Sequence, residues 1–372
     1  MDFTFNTYKQ LLQTLQSQGY AFTTLADYMK SETKLSPEVK KSASAAAESS
    51  NPLGGAGGGA VEFPPPLGGA GGGAPDTKSN NLQPSTIRNR QSKIVNPKLI
   101  LLRHDVEARY PNALRFAQIQ HAMGIRGSYY FRLYPKPRNT RFIRSIADLG
   151  HEIGYHYDDL SFCKGNHDHA IIRFEQHLDF LRTIAPVETI TMEGAPLSSY
   201  DNRALWEKFD YKAYGILAEP YFDLNFGTDF SQSRHPDSYR EANGRRQTPN
   251  PQYQTSNAEP RTPNPETVNS TGSVTGPRND FFYLTDTGRR WDGWKVSLRD
   301  KVPQQDEWIK QGLVFHSTAD IIKAANKGKL PDHIMMTFHP QRWNNVFLPW
   351  AKELVFQNAK NVVKYLLVYV KR

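Results

Sequence analysis

Short apolar runs that alternate with amphipathic stretches constrain the fold of this sequence most. Seven runs have the length and composition of β-strands, at 98–105, 126–133, 150–157, 188–195, 212–219, 280–286 and 333–340. Several are almost continuously apolar, which is typical of parallel strands that are buried on both faces. Stretches between them, such as 111–124 and 167–184, have apolar residues at helical spacing. This alternation predicts an α/β fold with a parallel sheet or barrel.

Two segments without apolar periodicity interrupt this pattern. The first, 30–97, contains the sequence PLGGAGGGA twice, at Pro52–Ala60 and Pro66–Ala74. Glycine-rich sequence loses much conformational entropy on ordering and has nothing to bury. The second, 227–280, is rich in Pro, Asn, Ser and Thr. We predict that both are insertions in one domain of about 250 residues, the size of a (β/α) barrel. The three parts of that domain are a helical N-terminal part at 1–29, then 98–226 and 281–372.

Composition excludes several classes of protein. The chain has 372 residues and a net charge of +9, but no basic run is interleaved with aromatic residues, so we do not expect nucleic-acid binding. Its single cysteine, Cys163, cannot form an intrachain disulfide. No apolar run reaches the roughly 18 residues that cross a membrane, and the first residues lack the features of a signal peptide. We therefore expect a cytoplasmic protein without a membrane span. The sequence identifies no protein partner.

Titratable side chains lie at the carboxyl ends of several predicted strands. They are Arg103, His104, Asp105, His156, Glu193, Asp286 and His339. In a barrel of parallel strands these ends meet on one face, where active sites are built. A structural protein has little reason to gather ionisable groups there, so the pattern predicts an enzyme. The alternative is a structural network in which Arg103 or Arg132 pairs with Asp105.

Five motifs resemble, in the same order, those of the polysaccharide deacetylase superfamily (NodB homology, carbohydrate esterase family four). They are LRHDVE, RGSYYFR, LGHEIGYHYDDL, YLTDTGRRWDG and TFHPQRW. The sequence is similar in particular to a divergent branch of bacterial polysaccharide deacetylase-like proteins. The resemblance implies a distorted (β/α) barrel of about seven strands. It also implies the metal-dependent removal of an acetyl group from an amino sugar or glycan precursor.

The resemblance implies roles for individual residues of the first motifs. Asp105 takes the position of the metal-binding aspartate. His104 takes that of the general base, a role that imidazole can fill near neutral pH. His156 takes the position of the first histidine ligand. Leu160 stands where the family has its second histidine ligand, so one ligand of the usual site is missing.

Other side chains could replace that ligand. Glu193, which stands where the family has an arginine, is the replacement that we predict. Asp158, Asp159 and His339 are further candidates. Sets of histidine and carboxylate ligands suit zinc and other first-row metals, so the expected cofactor is a divalent metal ion of this kind. Asp158 and Asp159 could equally cap the following loop, and Glu193 could bind main-chain amides in a turn.

The last two motifs imply catalytic and carbohydrate-binding side chains. His339 matches the histidine that assists as a general acid on the leaving amine. Asp286 matches an acid that lines the site, and we predict a catalytic role for it. The residues predicted to contact the carbohydrate, by charge or by stacking, are Arg103, Arg289, Trp291, Arg342 and Trp343.

Three functions agree with these observations. A metal-dependent deacetylase, or a related hydrolase of carbon–nitrogen bonds, is the one that we favour. The leucine at position 160 favours an inactive member of the fold that binds a glycan. The two insertions favour an interaction scaffold, although surface insertions cost little thermodynamically.

Overall fold

The structure is a computed structural model, and it describes residues 1–33, 98–134, 139–227, 280–292, 297 and 299–370. The two segments predicted to be insertions, 30–97 and 227–280, lie almost entirely outside these residues. The chain divides into two units, one formed by 1–31 and 97–372 and the other by 32–96. All of the elements described below belong to the first unit.

Seven parallel strands form one sheet. They are β1 (Ala21–Thr23), β2 (Leu99–Val106), β3 (Ser128–Phe131), β4 (Glu152–Tyr157), β5 (Val187–Met192), β6 (Phe282–Thr285) and β7 (His333–Phe338). Their order is β5-β4-β3-β2-β7-β6, and β1 pairs with the start of β2. The predicted α/β fold with a parallel sheet is confirmed.

Helices connect the strands. They are α1 (Phe5–Ser17), α2 (Tyr110–His121), α3 (Thr140–Asp148), α4 (Asp159–Phe162), α5 (His167–Arg182), α6 (Pro220–Asp223), α7 (Gln305–Lys310), α8 (Thr318–Asn326) and α9 (Phe347–Val370). Residues 25–31 are also helical. Helix α8 begins with a capping box, in which Ser317 and Asp320 each accept a hydrogen bond from the main chain of the other. Such caps satisfy N–H groups that have no partner inside the helix.

Six of the seven predicted strands are present, and the one at 212–219 is wrong. Tyr211–Tyr214 forms a 3₁₀ turn, which Asp210 caps and which ends at Gly215 with a φ of 70°. Glycine adopts this left-handed conformation without steric cost. Only Ala218 in this stretch pairs with the sheet, through one parallel bridge to Thr189. Strand β1 is absent from the prediction because three residues carry too little periodicity.

The segment that follows this turn contacts both edges of the sheet. Leu217 N donates to Glu188 O of β5 at 2.6 Å. At the other edge, Phe281 N, which precedes β6, donates to Asn225 O at 2.7 Å. The main chain from 217 to 225 therefore satisfies polar groups beside both edge strands, which would otherwise need water or another partner.

An aromatic cluster packs between α1, α2 and one face of the sheet. Tyr8, Phe116, Phe338 and Trp343 are fully buried, and their ring centroids lie 4.0–6.0 Å from those of their neighbours in the cluster. Each such side chain stabilises the fold by roughly 1.5–3 kcal/mol through burial alone. The cluster holds the loop after β7 against the helices, and that loop carries part of the site described next.

Candidate functional site

The carboxyl ends of the strands bring most of the predicted site residues together. His156 lies near the end of β4, and Glu193 directly follows β5. Nε2 of His156 lies 3.1 Å from Oε2 of Glu193 and 3.9 Å from Oδ2 of Asp105 on β2. His339 follows β7, and Asp286 follows β6. The strand ends therefore converge as expected for parallel strands that share one sheet.

Three side chains of this cluster have the spacing of a metal site. Glu107, His156 and Glu193 each offer one ligand atom within 4.8 Å of the other two. His156 and Glu193 are buried, whereas the Glu107 side chain is 28% exposed and gives the cluster access to solvent. No other group of His, Cys, Asp and Glu in the described part of the chain has this spacing.

The ring of His156 has one nitrogen free for this cluster. Its Nδ1 lies 3.1 Å from Thr191 O on the neighbouring strand β5. A carbonyl oxygen can only accept a hydrogen bond, so Nδ1 carries the proton in the neutral ring. The lone pair of Nε2 is then directed towards the carboxylates. A main-chain carbonyl fixes the ring of many metal-binding histidines in the same way.

The two carboxylate oxygens of Glu193 have different surroundings. Oε1 accepts a hydrogen bond from Ala195 N at 3.2 Å, so the main-chain contact that we considered from the sequence is present. Oε2 is buried and has no hydrogen-bond partner, although it lies 3.1 Å from Nε2 of His156. Nε2 and Oε2 thus lie close together without the alignment of a donor and an acceptor.

The charges of His156 and Glu193 affect each other's pKa. Burial by itself lowers the pKa of His156, but the charge of Asp105 and the contact with Glu193 raise it to about 9. Burial by itself raises the pKa of Glu193, but its contact with His156 and the charge of Arg132 bring it well below its ordinary value. A positive charge between the carboxylates is therefore favourable at neutral pH.

Asp105 adjoins the cluster and is paired with an arginine. Nε and Nη2 of Arg103 each donate to one of its oxygens at 2.8 Å. Both side chains are buried. This arrangement is the structural ion pair that we considered as an alternative from the sequence, and it directs Arg103 towards Asp105. Nη1 of Arg103 is left without a hydrogen-bond partner.

His339 and Asp286 form a second pair at the edge of the cluster. Nδ1 of His339 lies 2.6 Å from Oδ1 of Asp286, and its Nε2 lies 3.6 Å from Oε1 of Glu107. Burial by itself raises the pKa of Asp286, but the contact with His339 and the charge of Arg342 lower it below its ordinary value. Asp286 is therefore an anion that orients the imidazole, and Nε2 faces the site.

Two residues predicted to contact carbohydrate support Asp286 instead. Trp343 is fully buried in the aromatic cluster, and its Nε1 donates to Oδ2 of Asp286 at 2.6 Å. Nη1 of Arg342 donates to Asp286 O at 3.0 Å. The stacking role predicted for Trp343 is wrong, because its ring has no exposed face. Arg342 is buried as well, and it binds the main-chain carbonyl of Asp286.

His104 lies outside the cluster. Successive residues of a strand face opposite sides of a sheet, so His104 points away from Arg103 and Asp105. Its ring stacks on Tyr129 with centroids 4.1 Å apart, and Gln120 lies 2.8 Å from its Nε2. Burial lowers its pKa to about 3, so the ring is neutral. The structure corrects the prediction that His104 is the general base.

Arg289 and Trp291 also lie away from the cluster. Nε1 of Trp291 donates to Oγ1 of Thr318 at 2.9 Å, and the indole is buried. Nη1 of Arg289 donates to Trp350 O at 2.7 Å. The prediction that both contact carbohydrate is wrong, because the 3₁₀ turn after β6 directs them into the packing against α8 and α9.

Asp158 and Asp159, two further candidate ligands, bind arginines. Oδ2 of Asp158 accepts from Nε of Arg132 at 2.8 Å. Nη1 of Arg173 donates to Asp158 at 2.7 Å and to Asp159 at 2.5 Å. Asp158 makes no capping hydrogen bond at α4, so the capping role that we considered for it is wrong. Leu160 is 2% exposed and packs in the hydrophobic core.

Two acidic residues of this region are absent from the sequence prediction. Glu107 stands two residues after Asp105, and the alternation of the extended chain could have indicated that both face the same side. Asp300 accepts hydrogen bonds from the hydroxyls of Tyr283, Tyr221 (3.0 Å) and Thr285 (3.0 Å). It follows no strand, so the sequence carries no signal for it.

In comparisons with known proteins, no family model, no curated protein and no solved structure matches this chain. The fold and the site therefore define the class of protein. It has a parallel α/β fold with a buried cluster of carboxylates and histidines at the carboxyl ends of its strands.

Proposed function

We propose that the protein is a hydrolase that depends on a divalent metal ion and removes an acetyl group from an amino sugar or glycan precursor. The metal part of the proposal rests on the geometry of Glu107, His156 and Glu193. The substrate part rests on the resemblance of the sequence motifs to polysaccharide deacetylases. The parallel sheet, which that resemblance also implies, supports the proposal.

The contact between His156 and Glu193 is the observation that carries the metal site. Two ligands about 2.0–2.1 Å from one tetrahedral zinc ion lie roughly 3.3 Å from each other and point at the ion instead of at each other. Nε2 of His156 and Oε2 of Glu193 are 3.1 Å apart, and Oε2 has no hydrogen-bond partner. Both features fit a shared cation, and Glu107 is placed to supply a third ligand.

The metal ligands and the His339–Asp286 pair would have different roles in this hydrolysis. When bound, a zinc or other first-row ion polarises the acetyl carbonyl and lowers the pKa of the attacking water. Asp286 holds the Nδ1 proton of His339, which leaves Nε2 free to transfer a proton on the exposed side of the cluster. Glu107 lies between this imidazole and the other two ligands, 3.6 Å from Nε2 of His339.

A catalytically inactive protein of the same fold is the second candidate, one that binds a glycan or serves as an interaction scaffold. Two observations favour it. Both oxygens of Asp105 accept hydrogen bonds from Arg103, and Leu160 occupies the position of a family ligand within the core. In this case His156 remains protonated and pairs with the carboxylates as a structural ion.

Metal binding by the full chain, produced without a histidine tag, tests the proposal. After treatment with a chelator and dialysis, zinc binding is measured by calorimetry and metal content by mass spectrometry. We expect one site per chain, weakened at least tenfold by Glu193→Gln, Glu107→Gln or His156→Ala. Glu207→Gln, which alters an exposed carboxylate, is the matched control and keeps the affinity of the unaltered protein.

Acetate release from N-acetylated sugars then tests the reaction. We expect release that a chelator stops and zinc restores. Absence of metal binding in the folded protein contradicts the proposal and supports the inactive alternative, which predicts that glycan binding persists in the chelator. Metal binding that is unchanged by Glu193→Gln and Glu107→Gln shows that the ligand set is wrong.

A further inference from the structure

The C-terminal helix α9 contacts the rest of the protein through polar side chains. Glu353, Gln357 and Asn361 lie four residues apart on one face of the helix and are buried. Oε2 of Glu353 lies 3.0 Å from Nη2 of Arg109, and Nδ2 of Asn361 donates to Gly288 O at 2.8 Å. A surface helix ordinarily buries its apolar stripe. In the described part of α9 the buried side chains are polar.

The opposite face of α9 is apolar and exposed. Five of its side chains are between 53% and 75% exposed: Leu348, Val355, Phe356, Val362 and Val363. At 3.6 residues per turn they lie along one side of the helix, over roughly 22 Å. We call these five residues the apolar stripe of α9. Lys352, one turn from both Leu348 and Phe356, lies on the same side. Exposed apolar side chains grouped in this way mark a site of interaction.

The charges beside the apolar stripe are positive. Among the side chains of α9 that the structure describes, the charged ones are Lys352, Lys360 and Glu353. Lys352 and Lys360 are exposed, and Nζ of Lys360 lies 4.3 Å from the ring centroid of Phe356. Glu353 is buried against Arg109. The partner of this face must therefore accept apolar side chains and carry negative charge.

We propose that α9 docks the protein on the surface of a lipid bilayer that contains anionic lipids. The apolar stripe enters the boundary between headgroups and acyl chains, and the lysines contact the headgroup phosphates. The helix lies along the surface; within the described residues, no helix has the length and apolar character needed to span a bilayer. Because α9 packs on Arg109 and Gly288, which lie in the loops after β2 and β6, docking brings the carboxyl ends of the strands towards the bilayer.

A second copy of the chain fits this face less well. A symmetric contact between two copies through the apolar stripe would bring Lys352 and Lys360 of both copies to one interface. The described part of α9 has no exposed acid to pair with them. Juxtaposed like charges oppose such an interface, whereas an anionic lipid surface neutralises them.

Sedimentation with sucrose-loaded vesicles tests the proposal on the full chain. One set of vesicles contains phosphatidylcholine alone, and the other contains phosphatidylcholine with phosphatidylserine. We expect binding to the anionic vesicles that weakens as salt is added, because salt screens the lysines. We expect weak binding to the neutral vesicles.

Two pairs of substitutions separate the apolar and the charged contributions. Val355→Ser with Val363→Ser removes exposed apolar surface and should weaken vesicle binding at least tenfold. Lys352→Gln with Lys360→Gln should weaken binding to anionic vesicles by about 30-fold. Ile172→Ser, which alters an exposed apolar residue on α5, is the matched control and should bind as the unaltered protein does.

Each alternative outcome overturns the proposal. Absence of sedimentation with anionic vesicles, or equal sedimentation of the Val355/Val363 variant, shows that the stripe does not bind lipid. A dimer in light scattering that this variant converts to a monomer assigns the stripe to a second copy. Thermal unfolding of each variant confirms that the fold is retained. Because metal binding is not measured, the outcome is independent of the proposed hydrolase function.

Discussion

The imidazole of His339 is held by Asp286, whose Oδ1 lies 2.6 Å from Nδ1. The second oxygen of Asp286 accepts from Trp343 Nε1 at 2.6 Å, so the carboxylate joins the end of β6 to two residues of the loop after β7. A carboxylate accepts both hydrogen bonds, whereas an amide offers one acceptor and one donor group. The contact of Asp286 with its two partners therefore depends on its charge.

Asp286→Asn should destabilise the protein and impair His339. One of the two contacts becomes a donor facing a donor, which costs about 1–3 kcal/mol when buried. Hydrolysis should fall at least tenfold, because the tautomer of His339 is no longer fixed. Urea denaturation and acetate release measure the two effects. Asp306→Asn, an exposed substitution, is the control, and equal stability of the two variants contradicts the role of Asp286.

Leu160→His should not restore the usual family metal site. Leu160 is 2% exposed and lies in the core, so a histidine there buries a polar group without a partner. We expect a loss of about 1–3 kcal/mol in the free energy of unfolding and no gain in zinc affinity. Leu160→Met, which conserves volume, should cost less than about 1.5 kcal/mol. Tighter zinc binding by Leu160→His would show that position 160 reaches the site.

Gly154→Ala should destabilise the sheet. A Cβ at Gly154 would overlap Cδ1 of Tyr130 and lie 2.9 Å from Thr189 O, and the main chain cannot move aside easily. We expect a cost of about 1–3 kcal/mol or more, measured by urea denaturation. Gly194 has nothing within 4 Å of the same position, so Gly194→Ala is the control. Equal stability of both variants would contradict the packing of β3 on β4.

The pH dependence of stability should report on His151. Burial lowers its pKa from 6.5 to about 4, although its hydrogen bond to Ala117 O opposes this shift. Below pH 6.5 the unfolded chain takes up a proton that the folded chain does not. The contribution of His151 to the free energy of unfolding is therefore fully present above about pH 6.5 and is lost as the pH falls towards 4.

Comparison at two pH values isolates this contribution. Between pH 7 and pH 5, His151 should account for about 2 kcal/mol of the lost stability. His151→Gln should lose correspondingly less stability over this interval in urea denaturation. The exposed substitution His169→Gln is the control and should match the unaltered protein. If His151→Gln lost as much stability between pH 7 and pH 5 as the unaltered protein, the buried, neutral state of His151 would be contradicted.

Apolar runs predicted the strands wherever the run was buried on both faces. This succeeded for β2 to β7 and failed at 212–219, where Tyr211–Tyr214 forms a 3₁₀ turn between Asp210 and Gly215. The polar residues at strand ends also predicted which groups would meet, since parallel strands end on one side. Glu193, His156 and His339 are in the cluster for this reason.

The partners of these residues could not be predicted, because they come from distant parts of the chain. Oxygens of Asp158 are bound by Arg132 and Arg173, and Trp343 faces Asp286 instead of solvent. Which side of β2 faces the site follows from what packs on its other side, where Tyr129 and Gln120 contact His104. Asp105, the next residue, then faces the site, 3.9 Å from Nε2 of His156.

The sequence by itself determined the class of fold and the edge of the sheet at which ionisable groups gather. Both follow from the spacing of apolar residues along the chain, a pattern that depends only on residues close together in sequence. Only the tertiary structure decided that Glu107 joins His156 and Glu193 and that α9 buries its polar face. Such choices depend on strand order and on contacts between residues far apart in sequence, where burial, charge and hydrogen bonding are settled together.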